Sequence, residues 1–255
     1  MKIGITERGD AALDFSWLKA CLDRKVDGCI IVTKDLKETV RRAVLNLHYL
    51  DFPIIVHATC TGFGGTVIEP NVPKATVQMQ NIKELLNEGF PAENIVIRID
   101  PIFPTKKGLI RAKAVIQTAY DLGLFPQLRC RISILDEYKH VKERFRSIGL
   151  PSVYPDGQFT ASKEEFALVE EALSGFYGIQ YETCAEPYFT NNKFVALGCV
   201  SQRDLEIMGF DATEISGVNP QNRCGCLCLN CKKELLQNKN QCKHGCVYCY
   251  WRNTN

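Results

Sequence analysis

Apolar and polar positions along the chain alternate between two periods. Short β-branched runs at 2–6, 29–33, 54–60, 95–99, 128–135 and 179–184 read as strands. Between them, stretches at about 13–26, 35–49, 74–89, 107–122, 137–148 and 163–175 carry apolar residues at helical spacing, as Leu109, Ala112, Ile116 and Ala119 do. Ser162 followed by Lys163, Glu164 and Glu165 fits a capping box, and Gly123, Gly149 and Gly175 stand where helices should stop. A further short helix is expected near 201–209, and there is no internal repeat beyond the alternation itself.

Six consecutive βα units imply a parallel sheet, which right-handed crossovers curl into a partial barrel or spread into an open doubly wound sheet. The expectation adopted is α/β, a partial (βα) TIM-like barrel over 1–210, followed by a cysteine-rich metal-binding segment over 211–255 that packs on the barrel mouth. Ligands of both architectures sit at the C-terminal strand edge, so the residues just after each strand are the candidates for function. They are polar and charged: Glu7-Arg8-Gly9-Asp10, Thr33-Lys34, the stretch 59–65, Arg98-Ile99-Asp100-Pro101, Ser133 with Asp136, and the stretch 182–186. Each has a bland account, such as Arg98 pairing with Asp100, but six such ends on one rim make a pocket the better joint explanation. Arg98, Asp100, Ser133 and Glu186 are the first choices for contacts to a cofactor or substrate, with Thr33 and Lys34 behind them.

Composition narrows the class. Of 255 residues, 45% are hydrophobic and 24% charged, with a formal net charge of +2, which excludes disorder, collagen and coiled coil. No apolar run reaches the roughly 20 residues of a membrane span, and the opening residues show no signal-peptide pattern, so a cytoplasmic protein with no membrane association is expected. The near-balanced charge supplies no global argument for nucleic acid. Cysteine is the outlier, at 13 residues, of which Cys224, Cys226, Cys228, Cys231, Cys242, Cys246 and Cys249 crowd the end of the sequence. Without an export signal, such crowding reads as metal binding before disulfides.

Cys242-Lys-His-Gly-Cys246-Val-Tyr-Cys249 has the spacing C-x3-C-x2-C. Three thiolates on a tight loop can hold three irons of a [4Fe-4S] cluster and leave the fourth open to a chelating small molecule. Cys224, Cys226, Cys228 and Cys231 remain as a complete set of four, suited to a second [4Fe-4S] cluster or a structural zinc. A competing reading pairs Cys228-x2-Cys231 with Cys246-x2-Cys249 as a zinc ribbon, in a binding or scaffold protein without catalysis.

The C-x3-C-x2-C motif, with an aromatic residue before its third cysteine, resembles that of the radical S-adenosylmethionine (SAM) superfamily. The run Cys-Lys-His-Gly-Cys-Val-Tyr-Cys-Tyr at 242–250 looks like a bacterial and phage family that carries such a motif at its C-terminus. So do Ile68-Glu69-Pro70-Asn71-Val72-Pro73, Ile97-Arg98-Ile99-Asp100-Pro101-Ile102 and Thr183-Cys184-Ala185-Glu186. The resemblance implies that Cys242, Cys246 and Cys249 are the catalytic cluster ligands, that SAM binds the open iron, and that Tyr248 lies near the adenine. It implies reductive SAM cleavage to a 5'-deoxyadenosyl radical that abstracts a substrate hydrogen, with electrons from an external donor such as flavodoxin or ferredoxin. Analogy with spore photoproduct lyase suggests a nucleobase or nucleic acid as substrate, in DNA modification or repair. In most of that superfamily the motif follows the first strand, whereas here it follows every predicted element.

Among other residues, His57 is expected to be a hydrogen-bonded core histidine and His244 to orient the cysteine loop. Cys21, Cys29 and Cys130 fit core packing, while Cys60, Cys184 and Cys199 fall closer to the mouth.

Overall fold

The computed structural model describes residues 1–186, 188–189, 191–215, 226–236 and 242–252. Its centre is one parallel sheet of eight strands: β1 (Ile3–Ile5), β2 (Gly28–Thr33), β3 (Ile54–Thr59), β4 (Ile95–Ile102), β5 (Arg129–Ile134), β6 (Tyr181–Thr183), β7 (Phe194–Ala196) and β8 (Lys232–Glu234). They lie side by side in the order β7-β6-β5-β4-β3-β2-β1-β8, so chain order and spatial order agree through seven strands and the eighth returns to pair with the first. The expected α/β class and parallel sheet are present.

The six expected helices form as α1 (Ser16–Leu22), α2 (Glu38–Tyr49), α3 (Ala75–Asn87), α4 (Lys106–Asp121), α5 (Lys139–Ser147) and α6 (Lys163–Ser174), and the short one as α7 (Gln202–Ile207). Ser162 and Glu165 make the capping box the sequence announced, and Ser201 with Asp204 makes another on α7. Gly123 and Gly149 take the left-handed conformation that ends a helix, but Gly175 does not, since its φ is −71° and α6 stops without a left-handed cap. Two strands escaped the hydrophobic pattern. β7 is three residues long, and β8 is Lys-Lys-Glu, with no apolar alternation to mark it.

One face of the sheet is apolar throughout. Ile31, Val56, Ile97 and Ile132 pack there against Val40 of α2, Met79 of α3, Ile116 of α4 and Val169 of α6, and Cys21, Cys29 and Cys130 are fully buried in the same core. The other face changes character along the strands. Near their starts Ile3, Ile5, Ile30, Ile55 and Val96 meet Leu205 and Met208. The same face carries His57 and Thr59 on β3, Arg98 and Asp100 on β4 and, from its first residue, Arg129, Arg131 and Ser133 on β5, because strand side chains alternate sides with period two.

The two edge strands are joined by the chain near them. Leu229 N–H donates to Val200 O (3.0 Å), and a Cβ on Gly198 would stand 2.5 Å from Leu227 O, so the chain before β8 lies directly on the chain after β7. Among the described residues no helix is long and apolar enough to cross a membrane.

Candidate functional site

Above the polar half of that second face lies a cavity of about 650 Å³. The strand ends that line it include Glu7 to Asp10 after β1, Thr33 and Lys34 at β2, Thr59 of β3, Arg98 and Asp100 of β4, and Cys184 after β6. Cys242, Cys246, Tyr248 and Cys249 line it from the C-terminal loop, and Cys226 and Cys228 from the chain before β8. The C-terminal strand edge thus converges on one space, and the C-x3-C-x2-C loop reaches the same space from the far end of the sequence.

The loop is held in place by residues other than its cysteines. Asp10 is fully used: Oδ1 accepts from Thr33 Oγ1 (2.7 Å) and Ala12 N (2.8 Å), and Oδ2 accepts from Lys34 N (2.6 Å). His244 Nε2 stands 2.9 Å from that second oxygen, as an ion pair outside hydrogen-bond alignment. Burial works to raise the Asp10 pKa, but the His244 contact and the donors from Thr33 and Lys34 overcome it and hold the carboxyl below its usual range. On its other side His244 Nδ1 is 3.0 Å from Asn71 O, while Asn71 Nδ2 donates to Lys243 O (2.7 Å). His244 therefore orients the loop, as its position suggested. Gly245 turns the chain with φ +69°, a left-handed conformation that favours glycine. Arg144 of α5 donates to the carbonyls of Val247 (2.7 Å), Cys249 and Arg252 (2.5 Å), clamping the loop's far side. Val247 and Tyr248 then sink into an apolar cluster with Phe63, Phe103 and Phe145.

Beneath the loop, Lys34 Nζ donates to Glu69 Oε1 (2.9 Å) and Tyr248 OH (2.7 Å), Tyr248 OH donates to Glu69, and Thr61 Oγ1 donates to Glu69 Oε2 (2.6 Å). Burial alone would lower the Lys34 pKa, yet the Glu69 carboxylate raises it, and Lys34 lowers that of Glu69 in return. Burial, followed by the Glu69 charge, pushes Tyr248 well up, so its phenol stays neutral. Burial also pushes the Cys246 thiol up to about 12 and Cys242 to about 11; at Cys246 the Lys34 charge opposes the rise and the Glu69 charge adds to it. Thiols placed this way are neutral near pH 7 unless a cation holds them as thiolates. Three cysteines of one loop that line one cavity and are docked by outside residues are a donor set of the kind a [4Fe-4S] cluster takes.

The other sequence candidates divide. Arg98 pairs with Asp100, and Ser133 Oγ donates to Asp100 Oδ1 (2.5 Å). Arg98 and Asp100 line the cavity, whereas Ser133 supports Asp100 from behind it. Glu186 Oε1 accepts from Ile134 N (2.7 Å), which ties the chain after β6 to the end of β5, and the residue is not part of the lining. Cys231 is half-buried against the apolar cluster at the strand starts and is not part of the lining either. Cys224 lies outside the described residues. Sequence reasoning placed Asp10 among the strand-end candidates without singling it out, quoted Glu69 only within the run 68–73, and gave no weight to Arg144, which reads as an ordinary helix-surface charge.

Two further groups lie on the sheet's second face. Cys184 Sγ is 3.3 Å from Cys199 Sγ, and Cys199 N–H donates to Cys228 Sγ (3.2 Å). Arg98 Nη2 stands 3.8 Å from Cys199 Sγ, and Lys232 Nζ stands 3.8 Å from Cys228 Sγ. The thiol hydrogen bonds, that of Cys184 first, hold Cys199 well below the usual thiol range, while Cys184 and Cys228 are raised. Deeper, Arg129 and Arg131 bind the carboxylates of Glu182 (2.8 and 2.6 Å) and Asp204 (2.7 and 3.5 Å), all nearly or wholly inaccessible. His57 is buried beside Arg131 (3.4 Å) with its pKa pushed well down by burial first, a neutral core histidine as expected. Among the described residues no three His, Cys, Asp or Glu side chains already stand in the arrangement of a single-ion site.

The profile of the family described as "Domain of unknown function (DUF1848)" matches residues 17–251, and the chain belongs to that family. No curated protein sequence matches it.

Proposed function

We propose that this member of a family of unknown function is a radical SAM enzyme, and that its sheet is a partial TIM-like barrel with the cysteine loop across the mouth. The observation that carries the reading is the meeting of Cys242, Cys246 and Cys249, at C-x3-C-x2-C spacing, with the strand-end residues Lys34, Arg98 and Asp100 around one cavity. A strand order without reversal, and chain contacts between the two edge strands, support a curled sheet over a doubly wound one.

When bound, a [4Fe-4S] cluster held by Cys242, Cys246 and Cys249 supplies one electron to break the sulfonium bond of SAM. The chain's own residues place and shield that reaction. Lys34, Glu69 and Tyr248 form a closed, charge-balanced set behind the loop, which fixes the Tyr248 ring next to the thiols. Arg98 and Asp100 present opposite charges to the cavity, matching a molecule that carries both an amino group and a carboxylate. Phe63, Phe103 and Phe145 keep water from the loop's inner side. The electron comes from a small external donor of the flavodoxin or ferredoxin type.

The test is anaerobic purification with iron, sulfide and zinc quantification, followed by an assay for 5'-deoxyadenosine release from SAM under reducing conditions. Iron and sulfide that depend on Cys242, Cys246 and Cys249, together with release of the nucleoside, are the expected result. Zinc without iron in protein never exposed to air would replace the reading with that of a zinc-bearing binding protein.

A further inference from the structure

The second thiol group lies outside the loop motif, where the apolar cluster at the strand starts meets the cavity. Cys184 follows β6, Cys199 follows β7, and Cys226 and Cys228 precede β8, so three separate segments meet at Cys184, Cys199 and Cys228. All four line the cavity. Leu227 between the last two is exposed while Cys228 is buried, the alternation that extended chain imposes, so Cys226 and Cys228 share the inward side.

We infer that Cys184, Cys199, Cys226 and Cys228 form a second thiolate site for a thiophilic metal centre, which clasps the two edges of the sheet together. Four thiolates complete the coordination of a zinc or of an iron–sulfur cluster and leave no position for a substrate. Cys184 and Cys199 already stand as a pair, while among the described residues no three such side chains yet make a single-ion site. In a tetrahedral zinc site with Zn–S bonds of about 2.3 Å the sulfurs are about 3.8 Å apart, so Cys184 and Cys199, at 3.3 Å, need to open by about half an ångström. The surroundings match thiolate ligands as well. Arg98 and Lys232 bring positive charge to within 3.8 Å of two of the sulfurs, and the Cys199 N–H already donates to the Cys228 sulfur. The backbone is shaped for the contact, because Gly198 admits Leu227 O to a place where any Cβ would collide.

The role follows from position. β7 and β8 are the sheet's two edges, and among the described residues they do not pair with one another. A metal held by Cys184 and Cys199 on one side and by Cys226 and Cys228 on the other ties those edges where backbone pairing does not. The inference stands apart from the radical SAM reading, since it uses none of Cys242, Cys246 and Cys249.

Two measurements decide it. In the C242A/C246A/C249A variant purified anaerobically, iron with sulfide, or zinc, is expected to remain, and the identity of the element says which centre is present. The C184A/C199A variant is expected to lose that share and keep the iron of the C-terminal loop. Because removing buried thiols can itself destabilise the fold, the wild-type protein is also crystallised anaerobically and its anomalous scattering recorded at the iron and zinc edges. A metal peak bonded to Cys184, Cys199 and Cys228 is the expected result. The absence of metal on these sulfurs in the wild type, or a Cys184–Cys199 disulfide in its place, overturns the inference, even if the first variant shows that SAM cleavage depends on the loop.

Discussion

Two sets of cysteines face one cavity and are held there in opposite ways. The loop of Cys242, Cys246 and Cys249 is docked by side chains that are not sulfur: His244 on Asp10, Asn71 on Lys243 O, and Arg144 on the carbonyls of Val247, Cys249 and Arg252. At Cys184, Cys199 and Cys228 the sulfurs themselves take part in the contacts between segments, beside the Leu229–Val200 backbone bond. The difference shows which thiols chemistry can use. Sulfurs relieved of structural work can exchange ligands without loosening the fold, whereas sulfurs that are the join cannot.

The sharpest way to break this comparison is to remove each set in turn. C242A/C246A/C249A should abolish 5'-deoxyadenosine release while the melting temperature moves by only a few degrees, because the docking contacts survive; a collapse of the melting transition would erase the distinction. Next in size, Gly198→Ala places a methyl group 2.5 Å from Leu227 O, where backbone must move. Overpacking of this kind costs about 1–3 kcal/mol, read as a fall in urea midpoint at constant slope. The cost should appear with the iron of the loop motif unchanged.

A third effect is set by pH. The Arg129, Arg131, Glu182 and Asp204 network supports the Cys199 wall, with Arg131 Nη1 donating to Cys199 O (3.3 Å), and does not touch the loop. Burial raises the Asp204 pKa, but Arg131 and Arg129 outweigh it and bring it down to about 2 from 3.8. A depressed carboxylate contributes stability that is present above pH 4 and lost as pH falls from about 4 to 2, on the order of 2 kcal/mol. Urea unfolding across that range should show the loss in the wild type and a flatter profile in Asp204→Asn. The smallest effect concerns Thr59, whose buried Oγ1 lines the cavity and has no hydrogen-bond partner among the described residues. Thr59→Val should leave the melting temperature nearly unchanged, since no bond is lost, and weaken SAM or substrate binding a fewfold by calorimetry. Unchanged affinity would show that the hydroxyl does not meet a bound molecule.

Much of this arrangement is written in residue order. Parallel strands put function at their C-terminal ends, and that rule alone found Thr33, Lys34, Arg98 and Asp100. The capping box at Ser162 located a helix start to the residue. What escaped did so for identifiable reasons. β8 is Lys-Lys-Glu because it is an edge strand whose side chains make ion pairs, such as Lys232 Nζ to Glu7 (2.7 Å), so no apolar alternation marks it. Arg144 binds backbone carbonyls, which have no sequence signature. Cys184, Cys199 and Cys228 are separated by other elements, and the contact of the chain before β8 with the chain after β7 brings them within reach of one another.

The pairing of β8 with β1 also sets a condition on how the chain folds. Glu234 Oε2 accepts from the N–H groups of Glu7 and Arg8, Ile3 N donates to Cys231 O and Leu235 N to Ile5 O, contacts that span more than 220 residues. Closing so long a loop is entropically costly and delays the strands that depend on it, so the sheet is completed only after residues 231–235 have been synthesised. Until then β1 shows an unpaired edge, a template for another chain to pair with. Nascent chains stalled before residue 232 should therefore be the species most prone to aggregation and most dependent on chaperones.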